Sequence, residues 1–358
     1  MGSSWSKNEF PVDGRTVLIT GGSRGLGLSA ACQLAKKGAD IIIVARNANK
    51  LEEAMTQISQ SARAPDTQRF HQIRADVTTA TECARVVVDA TAWNGGAPPD
   101  IVWCCSGSAH PTLFIDTPVE QFQTMMDSNY FSCAYMAHAV LNAWLREPEK
   151  QNRKAADNEQ STSAGKASST TTTTTTKSAP PARHLVFTGS FVSFYSFAGF
   201  TPYSPSKAAI RSLSDSLSQE MNLYAAAHPS VARVRVHTVF PATMPTQSLE
   251  DENRVKTDLT KSLEEGDQVL QPDECARRSI AGLERGEELV ATSTIIRLVM
   301  TSVLGGSIRG GLVKGVVDTL LGWVVLVVMV FIRWDMDVKV ARWGRDHGAS
   351  GMVSNKKG

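Results

Sequence analysis

The run Thr16-Val-Leu-Ile-Thr20 leads directly into Gly21-Gly-Ser23-Arg24-Gly25-Leu26-Gly27, and a helical apolar pattern (Leu28, Ala31, Leu34, Ala35) follows at once. No other stretch narrows the fold as much. Glycines let a backbone turn tightly and approach a pyrophosphate, which then rests on the positive end of the following helix. Strand, glycine loop and helix in that order predict the opening unit of a nucleotide-binding α/β domain. Gly21, Ser23, Arg24, Gly25, Leu26 and Gly27 are its expected phosphate-side residues.

The rest of the chain repeats the unit. Buried-strand runs at 41–45, 70–75, 100–105, 185–187 and 231–240 alternate with helical patterns. Six strands so connected predict a doubly wound parallel sheet of the Rossmann type. The glycine loop, Asp76, Gly107, Ser190 and Pro241 then fall at carboxyl strand ends, where such sheets bind ligands, with Thr246 just beyond. The second strand ends on Arg46-Asn47, with no acidic residue to accept from a ribose 2′-hydroxyl. Arg46 with Arg24 suits a 2′-phosphate instead, so NADPH is the expected cofactor. Asp76 has two readings, a contact to the adenine amino group or a helix N-cap.

Reactive residues gather between His184 and Lys207. Ser190 ends a short strand, and Tyr203 and Lys207 stand four apart at the head of an apolar-periodic run. A helix there puts phenol and ammonium on one face. A phenol with a pKa near ~10 is a weak acid at neutral pH, and a neighbouring ammonium favours its ionised form. Tyr203 is thus a candidate proton donor to a carbonyl oxygen, with Ser190 hydrogen-bonding the same oxygen. Asn129 is a polar residue among Met125, Met126, Phe131 and Met136, and it needs partners.

At 358 residues the chain holds one large domain and an appendage. A net charge of +2 argues against a nucleic-acid binder. Six cysteines without C-x-x-C spacing read as reduced thiols, and no metal site is expected. The expected organisation is a flexible terminus at 1–10, a sheet domain at 11–288 and a membrane-associated helical region at 289–358. Residues 146–183 include seven consecutive threonines and almost no large apolar side chains, the composition of a disordered insertion. Within the last region, 315–332 carries a single charge, Asp318, and 289–308 is apolar but for Arg297. Trp323, Arg333 and Trp334 sit where interfacial anchors would, and six basic residues follow Ile332. That bias favours a membrane hairpin over a single span.

Taken together, these residues resemble the short-chain dehydrogenase/reductase family. Thr20-Gly21-x-x-x-Gly25-x-Gly27, Asn129, Ser190 and Tyr203-x-x-x-Lys207 match its motifs in order, with Ser190 thirteen residues before Tyr203. The resemblance implies hydride transfer from NADPH to a carbonyl, with Tyr203 as acid and Ser190 as carbonyl anchor. It also implies Lys207 on the nicotinamide ribose, lowering the phenol pKa, and Asn129 holding a relay water. Homo-oligomers are common in the family. Two positions depart from its pattern: Cys104-Cys105-Ser106-Gly107 stands for N-N-A-G, and Pro241-Ala242 for P-G.

The stretch 197–211, Glu252-Asn253, Lys256, Thr260 and the apolar carboxyl region are similar to a narrower branch. That branch reduces a long-chain keto-sphingoid base at the endoplasmic reticulum membrane, its catalytic domain facing the cytosol. Residues 247–271 would form the substrate lid, with Glu250, Asp251, Glu252, Glu264 and Glu265 as candidates to meet the substrate ammonium. Other lipid carbonyls (a retinoid, a steroid or acyl-dihydroxyacetone phosphate) remain open as substrates, as does an inactive nucleotide-binding scaffold.

Overall fold

A computed structural model describes residues 8–146, 180–229, 231–303, 311–349 and 351–353. Seven parallel strands form one sheet: β1 (Thr16–Thr20), β2 (Asp40–Ala45), β3 (Phe70–Arg74), β4 (Ile101–Cys104), β5 (Arg183–Thr188), β6 (Val234–Phe240) and β7 (Leu289–Ala291). Their order is 3-2-1-4-5-6-7, so the chain reverses direction across the sheet between β1 and β4. Side chains alternate between the two faces. Ile19, Ile43, Trp103 and Val186 pack towards helices Gly25–Lys36 and Pro272–Glu284, while Leu18, Ile42, Val102 and Leu185 face Ala80–Trp93, Ser132–Leu141 and Ser204–Ala227. Both faces are covered, which is why the strands read as continuous apolar runs.

Three sequence expectations change. The sheet has a seventh strand, because β7 pairs with Thr238–Phe240 beyond the boundary expected at 288. Ile296 and Met300 of the helix Thr294–Val303 then enter the core, so the described part of 289–308 belongs to the sheet domain and the hairpin loses its first arm. A buried edge strand and a membrane segment are equally apolar, and hydropathy alone does not separate them. At the other end, Phe10 is fully buried, its ring 4.7 Å from that of His184, so the flexible terminus does not extend to residue 10. Apart from its ends, the expected insertion at 146–183 lies outside the described residues.

The helix Leu312–His347 is long and apolar enough to cross a membrane. At ~1.5 Å per residue it measures roughly 54 Å. Most of its large apolar side chains are exposed, Trp323, Phe331 and Trp334 among them. Its one acidic residue in the apolar stretch, Asp318, is buried against the body and paired with Lys314 at 2.6 Å.

Beneath the sheet, His184 Nδ1 and His237 Nε2 lie 3.0 Å apart, and His237 Nδ1 lies 2.9 Å from the Glu287 carbonyl oxygen. Burial first, then the neighbouring His237, Arg15 and Arg235, push the His184 pKa down from 6.5 to about 2. The folded value is depressed, so the unfolded chain binds the proton first as pH falls. Stability contributed by neutral His184 is whole above pH ~6.5 and is lost progressively below it, by up to about 1.4 kcal/mol per pH unit. Between pH 6.5 and 5 the urea-unfolding free energy should fall by about 2 kcal/mol more in the native protein than in His184→Leu. Equal slopes in both would remove this assignment.

Candidate active site

The site lies along the carboxyl edge of the sheet. β1 ends at Thr20, and Gly21 turns the chain with φ at 66°. A Cβ on Gly21 would stand 2.8 Å from Ser106 N, and one on Gly27 would run into the Gly21 carbonyl oxygen. Backbone therefore packs directly on backbone. The helix Gly25–Lys36 starts with no side-chain cap and no acidic residue in its first turn. Its unpaired N–H groups and positive dipole end meet the cleft unopposed, a cradle that fits a dinucleotide pyrophosphate.

The cleft, about 540 Å³, is lined by every residue expected on the cofactor side: Gly21, Ser23, Arg24, Gly25, Leu26, Gly27, Arg46, Asp76, Gly107, Pro241 and Thr246, with Tyr203 and Lys207. Its size suits a small-molecule site. Arg46 and Arg24 both reach it, but Arg24 also faces Asp251 at 3.9 Å. Arg46 is the less engaged guanidinium. Asp76 Oδ1 accepts from Thr78 N at 3.2 Å and from Thr78 Oγ1 at 2.9 Å. Thr79, not Asp76, caps the next helix, accepting from Glu82 N at 3.3 Å. The capping role considered for Asp76 therefore falls to Thr79.

Ser190, Tyr203 and Lys207 line the same cleft. Ser190 stands beside the Tyr203 phenol, near enough to oppose the rise of its pKa. Lys207 Nζ is 5.7 Å from the Tyr203 ring centroid and donates to the Thr188 carbonyl oxygen at 2.9 Å. Burial lowers the Lys207 pKa. The Tyr203 phenol is pushed up, by burial first and by the Glu252 carboxylate second, with Ser190 opposing them. That net direction is opposite to the one expected from Lys207 alone, because desolvation outweighs a cation whose hydrogen bond goes elsewhere.

Asn129, fully buried, lies behind the cleft on a π-helical turn, Met126–Phe131. Its Oδ1 accepts from Ser108 N at 3.1 Å and its Nδ2 donates to Ser108 O at 3.0 Å. Those bonds pin the loop after β4. The cysteines that replace asparagines leave that loop braced from β1: Cys105 N donates to Thr20 O at 3.1 Å, and Ser106 N to Thr20 Oγ1 at 3.3 Å. The Ala242 N–H donates to Thr292 Oγ1 at 2.8 Å.

Two elements escape a reading by motif. Ser193 Oγ accepts from Ser190 N at 3.2 Å and donates to Lys207 O at 3.0 Å, tying Ser190 to the helix that carries Lys207. Helices Gln247–Val255 and Asp258–Leu263 flank the cleft, and Thr260 Oγ1 donates to the Ala198 carbonyl oxygen at 3.3 Å. Only tertiary packing brings these groups together. Of the acidic lid residues, Glu252 and Glu264 line the cleft. Glu250 instead accepts from Gln247, Asp251 faces Arg24 and Arg254, and Glu265 is exposed.

Comparison with known proteins agrees with this architecture. A chain described as a short-chain type dehydrogenase/reductase from Mycobacterium ulcerans superposes with a TM-score of 0.58 at 19% identity, over 79% of this chain and 89% of that one. That likeness shows the fold. In sequence, the chain is 40% identical to 3-ketodihydrosphingosine reductase ksrA of Aspergillus fumigatus, over 95% of this chain and 88% of the relative. It is also 40% identical to 3-ketodihydrosphingosine reductase gsl-3 of Neurospora crassa, over 97% and 87%. A third relative, 3-ketodihydrosphingosine reductase TSC10 of Cryptococcus neoformans, is 30% identical over 84% and 77%. The family model for short chain dehydrogenases matches residues 15–153 and 167–257. The chain belongs to the short chain dehydrogenase family.

Proposed function

We propose that this oxidoreductase uses NADPH to reduce the 3-keto group of 3-ketodihydrosphingosine to dihydrosphingosine. The observation that carries the reading is that one cleft is lined by the glycine cradle, by Ser190, Tyr203 and Lys207, and by the acidic residues Glu252, Glu264 and Asp267. The relatives that bear this activity in their names add support. Bound in the cradle, NADPH supplies the hydride. Tyr203 donates the proton to the carbonyl oxygen, and burial keeps its phenol protonated at neutral pH until that moment. Ser190 hydrogen-bonds the same oxygen as charge builds on it. Lys207 donates to the Thr188 carbonyl oxygen and would hold the ribose of the cofactor, and Asn129 positions the loop after β4. The glycine loop, Gly107, Pro241 and Thr246 line the cleft and would hold the cofactor, and Asp76 would accept from its adenine amino group. The helix Leu312–His347 would anchor the body to the endoplasmic reticulum with its cleft on the cytosolic side.

Substrate choice tests the reading. Among 3-ketodihydrosphingosine, retinal and acyl-dihydroxyacetone phosphate, the sphingoid ketone should lead in kcat/KM by roughly tenfold or more. Turnover of retinal with none of the keto-sphingoid would overturn it. Cofactor choice tests the arginines. Replacing Arg46 and Arg24 together by Ala should cut the preference for NADPH over NADH by roughly 10- to 100-fold, since a charge-assisted hydrogen bond to phosphate is worth ~1.5–3 kcal/mol. Arg46→Ala alone should account for most of it, because Arg24 already faces Asp251. A ratio of NADPH to NADH efficiency that stays put would contradict these roles.

A further inference from the structure

The cleft has an acidic wall that proton and hydride transfer do not use. Glu252, Glu264 and Asp267 line the cleft that Tyr203 also lines. Lys256 answers two of them, its Nζ 2.8 Å from Glu252 and 2.6 Å from Glu264. The Lys256 side chain is only 2% exposed, and its ammonium lies 5.6 Å from the Phe200 ring, itself 6.0 Å from the ring of Tyr203. Lys256 therefore fixes Glu252 against the reacting end of the cleft. Glu252, Glu264 and Asp267 outnumber Lys256 on this wall, the cleft's other cations being Arg24, Arg46, Lys50 and Lys207, and a partly desolvated carboxylate favours a cationic ligand.

We propose that Glu252 selects the substrate by binding an ammonium carried on the carbon next to the reacting carbonyl. This rests on the amino-ketone reading given above. Such an ammonium is two bonds from the carbonyl carbon, so a carboxylate close to the group that protonates the carbonyl oxygen is close to the ammonium too. Glu252 has that placement: it lines the same cleft as Ser190 and Tyr203, and Lys256, 2.8 Å from it, lies 5.6 Å from the Phe200 ring that packs 6.0 Å from the ring of Tyr203; its charge also raises the Tyr203 phenol. A bound ammonium offsets that push and leaves Tyr203 the stronger acid. A ketone without the amino group leaves the push in place, so the same carboxylate attracts one substrate and disfavours the other.

The test uses the full-length, detergent-solubilised protein with 3-ketodihydrosphingosine and with the same long-chain ketone lacking the amino group. Glu252→Gln keeps the shape and removes the charge. Its kcat/KM for the amino ketone should fall roughly 10- to 100-fold, chiefly through KM, while that for the deaminated ketone rises. Glu252→Asp should restore part of the preference. Retained NADPH binding, read from nicotinamide fluorescence, shows that the variants are folded. If Glu252→Gln lowers both substrates by the same factor, Glu252 only holds the lid and the ammonium assignment is overturned while the reductase reading stands. A native protein that binds NADPH and reduces neither ketone overturns both.

Discussion

Replacing Tyr203 by Phe is expected to lower kcat roughly 100- to 10,000-fold, the usual share of a positioned general acid, with NADPH affinity nearly intact. The substitution removes one oxygen and leaves the ring against Phe200 and above Lys207. Tyr203 belongs to neither apolar cluster of the core, so loss of activity would not trace to unfolding. Ser190→Ala should cost less, because the phenol still reaches the carbonyl oxygen without it. A Tyr203→Phe protein that keeps more than about a third of its kcat would place the proton donor elsewhere, a difference under ~0.7 kcal/mol in barrier. Single-turnover measurements with saturating ketone separate that outcome from a change in binding.

The second large effect is expected at Gly21. With φ at 66° and a Cβ position 2.8 Å from Ser106 N and 2.9 Å from the Cys105 carbonyl carbon, Gly21→Ala is strained twice over. The left-handed backbone alone costs about 1–2 kcal/mol. The clash is with main-chain atoms of the loop after β4, so that loop or the cradle must move, and a displacement near ~1 Å is enough for a roughly 100-fold loss. NADPH affinity, read by fluorescence titration, should fall by about that factor. Gly14→Ala is the control: its φ is 68° and nothing lies within 4 Å of its Cβ position. It should lose a similar amount of stability from backbone strain and keep its NADPH affinity. Equal losses of affinity at both positions would mean that strain, not the cradle, governs binding.

The sheet and the cofactor side are legible in the sequence for one reason. Strands covered on both faces read as short apolar runs, and the glycine loop needs residue types that few other turns need. Ser190, Tyr203 and Lys207 are legible because strand end and helix spacing bring them to one edge. What is not legible depends on packing. β7 has three residues and no period of its own, so it merges with the apolar stretch behind it. Phe10 lies in a polar segment, and only its contact with His184 shows that it is core. The direction of the Tyr203 shift fails for the same reason. Spacing places Lys207 beside the phenol, whereas burial and Glu252, which lies 49 residues further on, set the sign. The clamp of Asn129 on Ser108 could be anticipated only as a need for partners.

The most direct test is to follow NADPH oxidation by the solubilised full-length protein with 3-ketodihydrosphingosine and to identify the product by mass spectrometry. Dihydrosphingosine should form mole for mole with NADPH consumed, and Tyr203→Phe should show neither change. A folded protein that binds NADPH and leaves the ketone unreduced would contradict the proposed reaction.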